Sequence, residues 1–176
     1  MTTTPSLHFL LIDEIKDLYF AESKLLLALP KMAKAAHSRE LKAACTRHLA
    51  ETRIHLSRLK QSLTSLGSPV KGKTCHAMIG LIKEGAEAIG IKGPPAVRDA
   101  ALIGAAQRIE HYEMAGYGTA HAFAQALGED SVAKLLQTTL TEEGGANRAL
   151  TKISLVVNAD ALLANGHAPT SSKSKK

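Results

Sequence analysis

Residues 101–128 read ALIGAAQRIEHYEMAGYGTAHAFAQALG, and one helical face of this stretch decides the fold. Stepping by three and four from Ile103, that face carries Ala106, Glu110, Glu113, Tyr117, Ala120, Ala124 and Leu127. The alternation keeps these side chains on one side of an α-helix, the seam that a bundle helix turns toward its core. Two positions on the seam are glutamates. Pro95 upstream suits the first turn of a helix, and Gly128 ends the periodic run.

Three further segments share the pattern. A first helix is predicted from about residue 6 to 37 along Leu11, Ile15, Leu18, Glu22, Leu25, Leu29, Met32 and Ala36. A second, from Arg39 to Leu66 before Gly67, has the stripe Cys45, Leu49, Thr52, Leu56, Leu59, Leu63 and Leu66. Beside that stripe run Ala44, His48, Glu51 and His55. The last, from about Glu129 to Leu163, follows Val132, Leu136, Leu140, Glu143, Asn147, Leu150, Val157 and Ala161. Residues 68–95 break the periodicity with prolines and glycines, leaving an amphipathic piece (Met78, Ile79, Ile82, Ala86, Ile89) of one or two helical turns. Short links make helices one and two, and the last two long helices, antiparallel hairpins. The long middle connection is enough to cross the length of a bundle. The expectation is an all-α, ferritin-like four-helix bundle over residues 6–164: two antiparallel hairpins joined by a long crossover that contains a short helix. Residues 165–176, small, polar and basic, are expected to form a disordered tail.

Composition agrees with helices. The 176 residues include 28 alanines and 24 leucines, no Trp, and only 3% aromatics, which disfavours β-sheet. The net charge is +6, but three lysines lie in the last four residues, leaving 19 basic against 16 acidic residues elsewhere. That balance argues against a specific nucleic-acid-binding face. No apolar run reaches the roughly 18 residues that a membrane span needs. Cys45 and Cys75 form no CxxC motif, and residues 1–5 lack the basic and apolar regions of a secretory signal. The location expected from these features is cytoplasmic.

The acids carry the functional information. Glu22, Glu51, Glu110, Glu113 and Glu143 each occupy or adjoin an inward position at mid-helix. An ionised carboxylate buried without a partner costs several kcal/mol or more, so inward glutamates on all four helices ask for a cation. Counting from each hairpin turn at roughly 1.5 Å per residue brings the glutamates to one level within about one helical turn. The two hairpins also echo each other: Glu22 then Glu51-x-x-x-His55, and Glu110/Glu113 then Glu143-x-x-x-Asn147. A carboxylate on one helix, with a carboxylate and a donor one turn on along the next, is the layout of di-iron carboxylate bundles. Such donors suit iron or manganese. Glu142 competes with Glu143 for the same role, and Glu113 has solvent or Arg108 as an alternative. His48 reads as an outer hydrogen-bonding or simply buried residue, and His111 as a surface one. Tyr19, Tyr112 and Tyr117 lie near the glutamates, where most tyrosines are ordinary core residues. Gly144-Gly145, costing roughly 1 kcal/mol each inside a helix, marks a local kink or a decayed site.

Four runs of this sequence resemble the YciE/YciF-type ferritin-like stress proteins, related in fold to rubrerythrin and bacterioferritin. They are Asp13–Glu22 (DEIKDLYFAE), His48–Thr52 (HLAET), Val97–Glu113 (VRDAALIGAAQRIEHYE) and, more weakly, Leu136–Glu143 (LQTTLTEE). The resemblance implies a dinuclear metal site holding two iron ions, or manganese. Glu22 would be a terminal ligand, Glu51 and Glu143 bridging carboxylates, and Glu110 and Glu113 a pair on the third long helix, with His55 the donor after Glu51. The function expected of such a metal site is ferroxidase or peroxidase-like oxidoreductase chemistry with oxygen or hydrogen peroxide in stress protection. A homodimer is the expected assembly. The competing expectation is a non-catalytic helical stress or scaffold protein with a vestigial site, supported by Asn147 and the glycine pair.

Overall fold

The computed structural model describes residues 5–164, so the basic C-terminal tail lies outside the described residues. All regular structure among them is helical: α1 (Leu7–Ala35), α2 (Arg39–Ser65), α3 (His76–Ile89), α4 (Pro95–Ala126) and α5 (Asp130–Ala164). Local chemistry sets the boundaries. The Ser6 and Ser38 hydroxyls accept the Phe9 and Leu41 amides at 3.1 and 3.2 Å, capping α1 and α2. Pro94-Pro95 opens α4 without needing a donor there. Gly67 and Gly128 follow α2 and α4 with φ of 66° and 72°, a conformation that side-chain-bearing residues seldom adopt.

The four long helices lie in a ring in which α1 packs on α2 and α4, and α5 packs on α2 and α4. One apolar cluster gathers Leu11, Ile15 and Leu18 with Leu59, Leu63, Tyr117, Ala124, Val132 and Leu136. A second, at the other end, gathers Met32 and Ala36 with Leu41, Cys45, Leu102, Ile103, Leu150 and Val157. The pairings reverse from end to end, so every neighbouring pair in the ring is antiparallel. The end of α2 and the start of α4 therefore lie at opposite ends, and residues 66–94 run the length of the molecule between them.

Helix α3 is fourteen residues long, not the one or two turns its glycine-rich sequence suggests. It packs on α1 and α4 and buries Met78, Gly85 and Ala88. Docking of this apolar face outweighs the poor propensity of Gly80 and Gly85. The connection before it hugs α1: a Cβ at Gly72 would meet the Phe20 Cβ at 3.0 Å and Cα at 3.2 Å. At the opposite end Asp99, buried at the start of α4, accepts the His37 amide at 2.9 Å and the Ser38 amide at 2.6 Å. This side chain locks the α1–α2 turn onto α4.

Asp99→Ala leaves those amides without an acceptor and should cost about 2–3 kcal/mol in urea denaturation. The exposed Asp160→Ala serves as the control and should change stability little.

Candidate metal centre

Between the two apolar clusters the interior turns polar. Glu22, His48, Thr52, His55, Glu110, Glu113, Thr139 and Glu143 are all buried at this level. They come from the middles of α1, α2, α4 and α5, where helices are stiffest and backbone groups are already paired.

Two groups of donors emerge among the described residues. His48, Glu110, Glu113 and Glu143 bring one ligand atom each within 4.8 Å of one another, as do Glu22, His55 and Glu143. Glu143 belongs to both. His55 Nδ1 lies 3.1 Å from Glu22 Oε1 and 3.0 Å from Glu143 Oε1. His48 Nε2 lies 3.5 Å from Glu110 Oε1 and 3.7 Å from Glu143 Oε2. Tyr117 donates its hydroxyl to Glu22 Oε1 at 2.6 Å. Both oxygens of Glu113 and of Glu143, Glu22 Oε2, Glu110 Oε2 and His48 Nε2 are buried without a hydrogen-bond partner. Unpaired buried acceptors are rare in folded proteins, and here they converge on one volume.

The outer nitrogen of each imidazole is anchored to a carboxylate nearer the surface. His48 Nδ1 lies 3.3 Å from Glu51 Oε2, and His55 Nε2 lies 2.9 Å from Glu142 Oε2. Arg58 grips Glu142 through both terminal nitrogens and also reaches Thr139 Oγ1 at 3.1 Å. A carboxylate that accepts the outer N–H fixes the tautomer and aims the other ring nitrogen's lone pair inward, the usual support of a metal-bound histidine.

Protonation reflects the same crowding. Burial pushes the Glu22 carboxyl up, and pushes Glu110 and Glu113 well above the ordinary range, with neighbouring carboxylates adding to the effect. Burial opposes charge on the imidazoles, yet the hydrogen bond to Glu51 and the charges of Glu110 and Glu143 push His48 up to about 9. The carboxylates of Glu143 and Glu22, 3.0 and 3.1 Å from Nδ1, push His55 up, against its own burial, to about 10. The protons retained by the cluster do part of the work of a cation.

The structure places the expected residues unevenly. Glu22, His55, Glu110, Glu113 and Glu143 lie together in the two groups. Glu51 is in neither: its side chain is 41% exposed and turned to His48. His48, expected only around the site, is instead among the inward donors. The buried ridge of α2 runs through Ala44, His48, Thr52, His55 and Leu59, while Leu49 and Leu56 of the expected stripe are half-buried beside it. A leucine-weighted pattern passes over that ridge. The two histidines seven residues apart, hence on one face, were the available signal. Glu142 sits outside Glu143 as the partner of His55. Asn147 Oδ1 accepts from Gln107 Nε2 at 3.1 Å, and α5 runs unbroken as α-helix through Gly144-Gly145. Tyr112 donates to Asp17 and touches Cys75 Sγ at 2.8 Å, and His111 is exposed.

A family model described as a domain of unknown function (DUF892) matches residues 6–162. The protein YciF of Escherichia coli K12 is 42% identical over 145 residues, covering 82% of this chain and 87% of that protein. The chain belongs to this family. The crystal structure of the Escherichia coli stress protein YciF matches with a TM-score of 0.85 at 39% identity, over 88% of this chain and 98% of that one. The solved structure of the protein YcfI from Rhodopseudomonas palustris matches with a TM-score of 0.82 at 41% identity, over 85% of this chain and 96% of that one. A protein of Xanthomonas campestris, at 19% identity and a TM-score of 0.73 over 92% and 99%, shares the fold. No helix among the described residues is long and apolar enough to cross a membrane.

The raised groups predict a pH dependence with one sign, while the lowered Glu51 and Glu142 contribute stability that is lost only as pH falls below about 4.5. A group whose folded pKa lies above its unfolded value stabilises fully below the unfolded value and loses that contribution as pH rises through the folded one. For the imidazoles the window runs from about 6.5 to about 9 for His48 and about 10 for His55. The buried carboxyls begin their loss at about 4.5. The thermal midpoint of the metal-free protein should fall steadily from about pH 5 to pH 9, and excess divalent metal should flatten the curve. A level midpoint in the metal-free protein would refute the coupling.

Proposed function

We propose that this chain is a ferritin-like dinuclear metal protein, with antiparallel hairpins α1–α2 and α4–α5 joined by the crossover that carries α3. Its work is redox chemistry with oxygen or hydrogen peroxide in stress protection, using two iron ions or manganese. The observation that carries this reading is the convergence of unpaired buried oxygens on one volume at mid-bundle. The donor set fits the group. Four buried glutamates supply as much negative charge as two divalent cations supply positive, and two neutral imidazoles complete the ligation. Bound there, the pair supplies two reducing equivalents by passing from the divalent to the trivalent state.

In this reading Glu22, His55 and Glu143 hold one ion, and His48, Glu110 and Glu113 hold the other, with Glu143 shared. Glu51, the bridging carboxylate of the family resemblance, acts here as the partner that orients His48. Glu142, held by Arg58, does the same for His55. Tyr117 steadies Glu22 through its hydroxyl. The apolar clusters cover the donors from both ends of the bundle, and the low polarity there strengthens charge interactions. The scaffold reading relied on Asn147, but both imidazoles come from α2, so the donor set does not need that residue. A cytoplasmic location and a homodimer, using exposed apolar residues such as Leu155, Val156 and Leu163, belong to the same proposal.

Anaerobic loading with Fe(II), desalting and elemental analysis should give close to two irons per chain, and peroxide should then raise a near-ultraviolet ferric band. Less than half an iron would sink the proposal. Glu143→Ala, which removes the shared ligand, should lose both ions and leave a folded chain. Glu142→Gln should keep the ions but bind them about 10–100-fold more weakly, as loss of a histidine-orienting carboxylate does.

A further inference from the structure

A cavity of about 240 Å3 opens between α2 and α5 and ends on the donor cluster. Its walls include Leu29, Cys45, Ala106, Ala146, Ala149 and Leu150, and its mouth carries Arg47 and Glu51. His48 and Glu110 form the floor, and there His48 Nε2 and Glu110 Oε2 are buried without partners. The cavity is far larger than hydrogen peroxide or oxygen needs. A water's share of volume is about 30 Å3, and an apolar cavity of about 150 Å3 already accepts benzene.

Gly145 also lines the cavity, and packing does not demand it: an added Cβ would meet nothing closer than Arg148 Nη2 at 3.9 Å. A glycine inside a helix costs about 1 kcal/mol relative to Ala. Glu142, Gly145, Ala146 and Ala149 share one face of α5, so a larger side chain at Gly145 projects into the cavity. The residue keeps space open at a cost in helix stability. Away from the mouth and floor the walls are small and apolar, with the buried Cys45 among them. The occupant therefore needs an apolar body for the walls and a reactive polar end for the floor.

We propose that this cavity seats the hydrocarbon part of an organic hydroperoxide, with the hydroperoxy group turned to the floor at His48 and Glu110. The inference rests on the reading of the floor as a metal centre. The reaction served is R–O–OH plus two electrons and two protons, giving R–OH and water. The O–O bond breaks, each oxygen gains one O–H bond from the two protons, and the electrons come from two divalent ions that become trivalent. Such a substrate brings its own oxidant and fits the two equivalents of the site. Hydroxylation of a C–H bond in the same cavity would need molecular oxygen as a second substrate.

The test uses the full chain with cumyl alcohol, the unreactive product of cumene hydroperoxide, as a binding probe. In NMR titration it should shift the methyl signals of Ala146 and Ala149 in metal-free and iron-loaded protein. Gly145→Leu, and separately Ala149→Leu, should weaken probe binding by at least about tenfold. Both variants should retain the iron content of the parent and its rate of oxidation by hydrogen peroxide, and lose about tenfold in oxidation by cumene hydroperoxide. Using two variants guards against one that fails to fold, which circular dichroism would reveal. Iron uptake without probe binding, or equal losses with both peroxides, overturns the cavity assignment and leaves the metal centre standing. Probe binding by a chain that takes up no iron overturns both the metal reading and the hydroperoxide chemistry built on it.

Discussion

Four glutamate side chains meet inside a shell of leucine, isoleucine and alanine, and the cost of keeping them there governs the rest of the molecule. Carboxylates forced together away from water cannot all stay ionised without compensation, and their pKa values rise accordingly. Without a metal the cluster retains protons, on carboxyls and on two imidazoles that sit far above their ordinary values. That arrangement holds the fold together while leaving many acceptors unpaired. Cations in place of protons would satisfy the charge and the empty lone pairs together. The end clusters supply the apolar burial that stabilises the fold despite this polar layer.

Helix α2 bears an unequal share of the arrangement. Both imidazoles project from it, seven residues apart, and each is gripped at its outer nitrogen by a carboxylate near the surface. The two supports differ. Glu142 is clamped by Arg58 and is part of a network across α2 and α5, whereas Glu51 is half-exposed and holds only His48. The more weakly held support stands at the mouth of the cavity between the same two helices. Glu142 lines the same cavity from α5, so both supports border the opening and differ in how firmly each is held.

Much of this was legible along the chain, for identifiable reasons. Long helices declare themselves because burial on one side imposes a three-four spacing, and Ile103 to Leu127 keeps it through seven successive steps. The glutamates stand out because they interrupt an apolar seam where a charge is expensive. Helix α3 was hidden, since its glycines weaken a local signal that docking onto α1 and α4 restores. On α2 the leucines misdirect: Leu49 and Leu56 look like the seam together with Thr52, but the interior at that level is polar and turns His48 and His55 inward beside Thr52.

The amino-acid sequence by itself determined the all-helical class, the long connection before α4, and the presence of acids such as Glu22 and Glu110 on inward seams, because periodicity and the cost of buried charge act along a single helix. The choice of Glu143 over Glu142 and the burial of Glu113 came from the structure. Only the tertiary structure decided which donors face each other. Glu51 and His48 are one turn apart on α2, and a rotation of the helix by a fraction of a turn exchanges their places. That rotation is set by packing against α1 and α5 together, with Arg58 and Glu142 bridging to α5. No residue on α2 alone carries that information. The cavity beside Gly145 has the same origin, since an open space between two helices is a property of the pair.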